Sequence, residues 1–442
     1  MTRGIEMNDL TLKQSAVFGR PFSGNLNDVQ IRCRETHYDY NGSTINDAAS
    51  RIDTLLTEQL YKIKDRYSDD MVFGLGLSGG LDSRIILHYA LKVGIKPLFY
   101  FYGDKRYRPF LYNLSYLSAC KIAKTYNMKP PIVIPFHKLP DIDFFNRDCK
   151  YNPLIAYNMW ELHIYDEEHP RFDVQLSGVN GGEILGRCGV NMRVENQSDF
   201  IDMIFKRFAS HHSPVSYPGV FSDDDYQQMR GHLLEFINRF DDFFSAWQSI
   251  MCGFFPRAFV TGTYKYASHF SPIVEAPFTS YEFKKESETW DTRWLQSDTM
   301  KLQNYFLNKH LPVLSRIPAQ DYLPPRHWYA NGKEPNWFIK KWFWYWRYLR
   351  GPMASYTDVF HSDEFRKFAF SVLDTPHVYF DSLFDVDVIK KMPKRFYSNG
   401  GFLPNLVKIK NMFLQGGHHV KCRLNERTNN MELRDRRTWK TY

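Results

Sequence analysis

The segment FGLGLSGGLDSRIILHYA (Phe73–Ala90) constrains the fold of this chain more than any other. Its first residues are apolar or glycine, as in a buried strand, and its second half places apolar residues at helical spacing. A strand that ends in a glycine turn and continues as a helix brings several backbone N–H groups to one point, where the positive end of the helix dipole also lies. The segment therefore predicts an anion-binding junction between a strand and a helix.

The residues of this junction suit the binding of a phosphate group. Gly79 and Gly80 allow close approach of the backbone and unusual φ angles, and Ser78 and Ser83 add hydroxyl donors. Asp82 is a poor ligand for a phosphate, but it is a suitable ligand for Mg²⁺, which bridges to phosphate oxygens. Because the sequence is not GxxxxGK[ST], the junction is not the P-loop of kinases and GTPases.

Strands and helices alternate along the first part of the chain. The patterns predict helices over Ile45–Tyr67, Asp82–Gly94, Leu111–Asn127 and 153–168, and strands over Met71–Leu77, Pro97–Gly103, Pro131–Phe136 and Phe172–Gly178. This alternation indicates an α/β fold, with a parallel sheet and helices on both of its faces. From about residue 195 the pattern becomes helical and rich in aromatic residues, with no clear strand.

The hexapeptide SGGLDS resembles the PP-loop of the ATP pyrophosphatases, which split ATP between the α- and β-phosphates and leave AMP on a substrate. Two later stretches resemble motifs of the asparagine-synthetase-like ligases within that family. LSGVNGGEILGR (Leu176–Arg187) resembles SG-x-G-x-DE-LFGG, and YKYASHFSPIVEAPFTSYEF (Tyr264–Phe283) resembles a motif that contains E-x-R-x-PFLD. The three motifs follow the family's order, so the chain is similar to these ligases over about residues 70–330.

The resemblance implies a domain organisation and an activity. The implied parts are an N-terminal extension (1–45), a PP-loop ATP-pyrophosphatase domain (46–195), a mainly helical synthetase domain (196–388) and a basic C-terminal tail (389–442). The implied cofactors are ATP and Mg²⁺. The implied reaction adenylates a substrate carboxylate, releases pyrophosphate and transfers the acyl group to an amine or to ammonia.

The resemblance also implies roles for individual residues. The residues expected to bind ATP and its phosphates are Leu77, Ser78, Gly79, Gly80, Leu81 and Ser83, with the adenine against Leu77, Tyr102 and Gly178. Asp82, with Glu183, is expected to bind Mg²⁺. Glu275 is expected to serve the amine in the second step, so the expected catalytic residues are Asp82 and Glu275.

The chain departs from the family in its source of nitrogen. The best-known members carry a glutaminase domain whose cysteine nucleophile follows the initiator Met, but Thr2 stands there in this sequence. Fewer than 80 residues precede the glycine motif, which is too short for such a domain. We therefore expect free ammonia, another amine or a separate glutaminase partner to supply the nitrogen.

Further departures concern the substrate and the metal. Gly182 stands where the family has an aspartate, and Thr279-Ser280 stands where it has the Leu-Asp of PFLD. The stretch after Leu311 resembles the segment of the family's catalytic lysine, but no lysine is in register there, and Arg326 or Lys333 would have to supply the charge. The carboxylate is thus expected to belong to another small molecule or to a glycan, such as a uronic acid or a natural-product precursor.

Charge is concentrated at the C-terminal end of the chain. Residues 390–442 contain 13 basic and 3 acidic residues, a balance of +10, whereas the remainder has 44 basic and 46 acidic residues. Such a tail suits an anionic partner, and its alternative interpretation is a solvated extension. No apolar run is long enough for a transmembrane segment, no signal peptide is visible, and the six cysteines form no CxxC pair, so we expect a cytoplasmic protein.

Two other functions stay open at the level of the sequence. An RNA-modifying enzyme of the tRNA-lysidine synthetase type shares the PP-loop and would explain the basic tail, but not the LSGVNGGE and VEAPF stretches. A degenerate ligase that binds a nucleotide without turning it over would explain Gly182.

Overall fold

The structure is a computed structural model. The residues that it describes are 5–18, 37–102, 114–134, 171–186, 194–208, 220–250, 273–296, 299–319, 337–338, 341, 363–392, 402–415, 420–425 and 430–435. The strands within these ranges are β1 (Ile5–Asn8), β2 (Phe73–Gly76), β3 (Leu98–Tyr102), β4 (Ile132–Ile134), β5 (Val174–Leu176), β6 (Ile273–Glu275), β7 (Val420–Asn425) and β8 (Asn430–Asp435).

The helices of the same ranges are α1 (Asp9–Phe18), α2 (Ile45–Arg66), α3 (Leu81–Lys92), α4 (Leu114–Thr125), α5 (Gly181–Ile184), α6 (Gln197–Phe208), α7 (Asp223–Ile237), α8 (Phe243–Gln248), α9 (Tyr281–Ser287), α10 (Lys301–His310), α11 (Pro312–Ser315), α12 (Asp363–Leu373), α13 (Val378–Leu383), α14 (Val386–Lys391) and α15 (Phe402–Gln415). Two short 3-10 turns span Pro277–Thr279 and Thr292–Trp294.

Strands β2 to β6 form a parallel sheet in the spatial order β4–β3–β2–β5–β6. The fold is therefore α/β, as the alternation of strands and helices predicts. From β2 the chain proceeds through β3 to β4 at one edge, and it then returns to place β5 and β6 on the other side of β2. The direction of winding reverses between β2 and β5, and open parallel sheets bind their ligands at the carboxyl ends of such a pair.

Strand β2 directs different residues to the two faces of the sheet. Leu75 and Leu77 are buried in the main apolar cluster, together with residues of α2, α3 and α10. Gly74 and Gly76 face the opposite way, where aromatic rings lie close to the strand. A Cβ at position 74 would lie 2.3 Å from the ring of Phe172. The glycines of this strand are thus required by close packing across the second face.

The strand β6 corrects one sequence-based prediction. The pattern after residue 195 shows no clear strand, but Ile273–Glu275 pairs with β5 and extends the sheet at its edge. The strand has only three residues, of which Val274 alone is buried, so its alternation is too short to be recognised in the sequence. The main apolar cluster also continues to Ala319. Residues beyond position 195 therefore contribute to the sheet and to its core.

Two predicted extensions contain packed elements. Residues 5–18, assigned to an N-terminal extension, include Leu12 and Ala16 of α1, which are buried in a second apolar cluster with α12 and α15. Helix α15 belongs to the predicted basic tail, and all of its residues from 402 to 411 are buried. The strands β7 and β8 pair with β1 in an antiparallel sheet. The interpretation of the tail as a solvated extension is therefore wrong for α15.

The count of charged residues gave no sign that α15 belongs to the core, because two of the lysines that it counted are buried. Lys410 is completely buried, and its Nζ forms an ion pair with Asp381 and lies 4.5 Å from the centre of the Phe380 ring. The remaining positions of the segment FLPNLVKIKNMFLQ are largely apolar. The tail thus contributes a core helix as well as a positive charge.

Some predicted elements lie outside the described residues. They are the helix at 153–168 and the candidate charges Arg326 and Lys333. Within the described part of the chain, no helix is both long enough and apolar enough to cross a membrane.

We expect Asp381→Asn to destabilise the protein by about 2–3 kcal/mol at neutral pH, because Lys410 would be left as a buried charge without its counter-ion. Burial acts to raise the pKa of Asp381, but hydrogen bonds from Lys410 and from the His377 N–H outweigh it and lower the pKa below its ordinary value. The stabilisation is thus complete above the ordinary carboxyl pKa and is lost as the pH falls through the lowered pKa. Urea unfolding across this range measures the effect.

The matched control is Asp374→Asn, which removes the exposed partner of Lys390 at 2.6 Å. An exposed pair contributes less than about 1 kcal/mol, so this variant should lose little stability at any pH. Equal losses in the two variants would contradict the buried ion pair.

Candidate functional site

The glycine loop (Ser78–Gly80) connects β2 to α3 at the carboxyl edge of the sheet. Gly79 has a φ of +75°, and a Cβ at this position would lie 2.2 Å from the carbonyl oxygen of Ser115 at the start of α4. Gly80 is the N-cap of α3, and no side chain caps the helix there. The first turn of α3 thus presents backbone N–H groups that no capping side chain occupies, as an anion-binding site requires.

The serine side chains of the junction lie close to one another. The Oγ atoms of Ser78 and Ser83 are 3.3 Å apart, and the N–H of Gly80 donates to Ser78 Oγ at 3.2 Å. Ser83 is buried, whereas Ser78 is half-buried. The structure therefore brings both predicted hydroxyls to the same side of the helix start.

The buried side chain of Arg84 determines the shape of the glycine loop, and sequence reasoning missed it. Its guanidinium donates to the carbonyl oxygens of Gly79 and Gly80 at 2.6 and 2.9 Å. Since a peptide unit is planar and trans, binding the Gly80 carbonyl turns the Leu81 N–H in the opposite direction, away from Arg84. The sequence shows only a charged residue directly before the apolar run IILHYA, which does not reveal that Arg84 is buried.

Arg84 also connects the loop to a distant part of the chain. The same guanidinium donates to the carbonyl oxygens of Leu314, Ile317 and Pro318 at 2.7–2.9 Å. A buried charge is tolerated when hydrogen bonds replace its hydration, and these carbonyl groups do so. Helix α11 and the residues that follow it therefore hold Arg84, and through it the glycine loop, in place.

A second loop (Ser177–Asn180) follows β5 and packs directly on the start of α3. A Cβ at Gly178 would lie 2.9 Å from the carbonyl carbon of Asp82, and a Cβ at Gly181 would lie 3.0 Å from the Asp82 carboxyl group. Both glycines are thus needed for the two loops to approach each other. The structure brings the SGGLDS and LSGVNGG motifs together at the point where the strand order reverses.

The other predicted ATP ligands have different environments. Leu77 and Leu81 have fully buried side chains in the main cluster, so only their backbone groups could meet a ligand. The N–H of Leu77 donates to the Tyr100 carbonyl at 2.9 Å. Tyr102 ends β3, and its side chain lies outside the described part of the structure.

The described residues provide few carboxylates for a metal. Asp82 lies in the first turn of α3, and Glu183 is half-buried in α5. No group of three His, Cys, Asp or Glu side chains in the described ranges could hold a metal ion. This arrangement fits Mg²⁺ bound through one or two protein oxygens and the phosphates of a nucleotide, and it does not fit a metal held by protein ligands alone.

Glu275 ends β6, and its carboxylate binds the end of α2. It accepts hydrogen bonds from Arg66 Nη1 and from the Tyr67 hydroxyl, and its own side chain is 16% exposed. Burial and the hydrogen bond to Glu275 raise the pKa of Tyr67 above its usual value. The carbonyl of Glu275 also accepts from the Ser177 N–H at 2.8 Å, so its backbone adjoins the second loop. Whether this carboxylate serves an amine stays a prediction.

Comparisons with known proteins assign no family to the chain. No protein-family model matches the sequence, and no curated protein matches it significantly. The functional argument therefore depends on the motifs and on the geometry of the two loops.

We expect Gly79→Ala to destabilise the protein and to weaken nucleotide binding, because the new methyl group would overlap the Ser115 carbonyl. The matched control is Gly42→Ala, since Gly42 also has a positive φ, +82°, but has no atom within 4 Å of the added Cβ. Both variants incur the cost of a left-handed alanine, about 1–2 kcal/mol. Urea unfolding should show a larger loss for Gly79→Ala, and equal losses would refute the close contact.

Proposed function

We propose that this chain is an ATP-dependent, AMP-forming ligase that joins a carboxylate to an amine. One observation carries the proposal: two glycine-containing loops, after β2 and β5, meet around Asp82 at the switch point of a parallel sheet. Ligands of open α/β sheets bind at that place. The resemblance of both loops to motifs of the asparagine-synthetase-like ligases supports ATP as the ligand.

The geometry of the first loop supports a phosphate group as the part of ATP that binds there. Arg84 orients the Leu81 N–H at the start of α3 through the Gly80 carbonyl, and the Ser78 and Ser83 hydroxyls lie close together at the same helix start. Asp82 would hold Mg²⁺, which would neutralise charge on the pyrophosphate leaving group. The protein would thus contribute fixed donors and positioning, which are the main sources of catalysis in phosphate chemistry.

The proposed reaction has two steps. The substrate carboxylate oxygen attacks the α-phosphorus of ATP, and the bond from that phosphorus to the bridging oxygen breaks, so that pyrophosphate leaves with the electron pair. The amine then attacks the acyl carbon of the resulting acyl-adenylate, loses a proton and displaces AMP, which gives an amide. Adenylation is needed because a carboxylate is a poor electrophile at neutral pH.

Thr279 and Ser280 stand where the resembled ligases have the Leu-Asp of their PFLD motif. Thr279 Oγ1 donates to the Ala276 carbonyl at 2.7 Å, and Ser280 is the N-cap of α9, where its hydroxyl accepts from the Phe283 N–H. Both hydroxyl groups thus form hydrogen bonds with the nearby backbone. We therefore infer a carboxylate other than aspartate, on a small metabolite or a glycan, with ammonia, an amine or a separate glutaminase as the nitrogen source.

We expect Asp82→Ala to reduce the exchange of labelled pyrophosphate into ATP by about 100-fold or more, measured with a panel of carboxylates that includes uronic acids and amino acids. The control is Asp223→Ala, which also removes an acidic residue from the first turn of a helix but lies on the exposed start of α7. That variant should exchange normally. Full exchange by Asp82→Ala would exclude the proposed metal ligand.

We expect Glu275→Gln to separate the two steps. Pyrophosphate exchange should persist because the glycine loop is unchanged, whereas amide formation should fall by about 10²–10⁴-fold if the carboxylate accepts a proton from the amine. The control is Arg66→Met, which breaks the same ion pair from its other side and leaves Glu275 in place. If both variants lose thermal stability and both steps equally, Glu275 has only a structural role.

A further inference from the structure

Asn180 has a backbone conformation that would suit glycine. Its φ is +71°, in the left-handed region, where a side chain costs free energy and glycine does not. Asn180 is also the N-cap of α5, but its side chain makes no capping hydrogen bond. The side chain therefore stabilises neither the turn nor the helix, and its presence requires another explanation.

The amide of Asn180 is buried with one of its two polar atoms unused. The residue is 6% exposed, and its Nδ2 donates to the Phe278 carbonyl at 3.4 Å. Its Oδ1 is buried and has no hydrogen-bond partner in the described part of the chain. A buried acceptor without a partner destabilises the folded state, so this oxygen is expected to meet a ligand. Since Nδ2 faces Phe278, Oδ1 is turned away from it.

Asn180 lies next to the carboxylate that the site provides. The following residue, Gly181, is so close to Asp82 that an added Cβ would lie 3.0 Å from Asp82 Oδ1 and 2.8 Å from the Phe278 ring. Asn180 therefore directly precedes the residue that packs against both Asp82 and Phe278. Gly182, two residues after Asn180, stands at the position where the resembled family has a carboxylate.

We propose that Asn180 Oδ1 is a second oxygen ligand, beside Asp82, for the divalent cation of the nucleotide site. Amide oxygens and carboxylates are the ligands that Mg²⁺ and Mn²⁺ prefer. A neutral amide oxygen in place of a carboxylate leaves the site with one negative charge fewer. The cation then binds mainly together with the phosphates of the nucleotide. This inference rests on the proposed function, because it assumes that a nucleotide binds at the glycine loop.

The test measures how much a divalent cation strengthens nucleotide binding. Calorimetry gives the affinity of the full chain for α,β-methylene-ATP, which cannot be split at the α–β bond, once with Mn²⁺ and once with a chelator. Asn180→Gly should reduce the metal-dependent gain in affinity by about tenfold or more, with unchanged affinity in chelator. Asn180→Asp, which keeps an oxygen ligand, should preserve the gain.

The matched control is Asn127→Gly, because Asn127 is exposed and has a left-handed φ of +54° outside the site. It should leave the metal-dependent gain unchanged. In chelator, Asn180→Gly removes a buried oxygen without a partner and a long hydrogen bond of 3.4 Å, so its stability should be close to that of Asn127→Gly. A larger loss of stability at Asn180 together with a normal metal-dependent gain would show a structural role and overturn the inference.

The remaining outcomes separate this inference from the proposed function. If the wild-type chain binds the analogue equally with and without Mn²⁺, the metal site is refuted while nucleotide binding stands. If it binds the analogue neither with Mn²⁺ nor with chelator, the proposed function fails, and this inference fails with it.

Discussion

The candidate site depends on one buried guanidinium, that of Arg84. Its charge is removed from water and is compensated by backbone carbonyls from the glycine loop, from α11 and from the residues that follow α11. The Gly80 carbonyl therefore faces the guanidinium, and the Leu81 N–H of the same peptide unit faces the opposite way. Because a buried cation loses its compensation if any of these segments moves, the loop and the helices behind it must keep their relative positions.

Close backbone contacts then place the second loop. Gly178 and Gly181 leave no space for a side chain between the loop after β5 and the first turn of α3. The contact is possible because β2 and β5 are neighbours in the sheet, although about one hundred residues separate them in the sequence. Sheet topology and glycine packing together surround Asp82 with the elements of the proposed metal and phosphate site.

The second loop carries its polar group at an unusual backbone position. In the resembled family a carboxylate occupies the position of Gly182, whereas here the polar group is the Asn180 amide, in a left-handed conformation that a glycine would adopt more easily. Thr279 and Ser280 use their hydroxyl groups in local hydrogen bonds before and at the start of α9.

The sequence by itself determined the α/β class, β2 to β5, the helices α2 to α4 and the glycine junction, because these elements carry strong local patterns. Only the tertiary structure decided the remainder. The strand β6 is too short to show a period, and Lys410 is buried through an ion pair with Asp381 in another helix. The carbonyl partners of Arg84 and the Oδ1 of Asn180 likewise depend on segments that are distant in sequence. Local patterns report which residues can form a strand or a helix, whereas the partner of a buried charge is set only when the whole chain has packed.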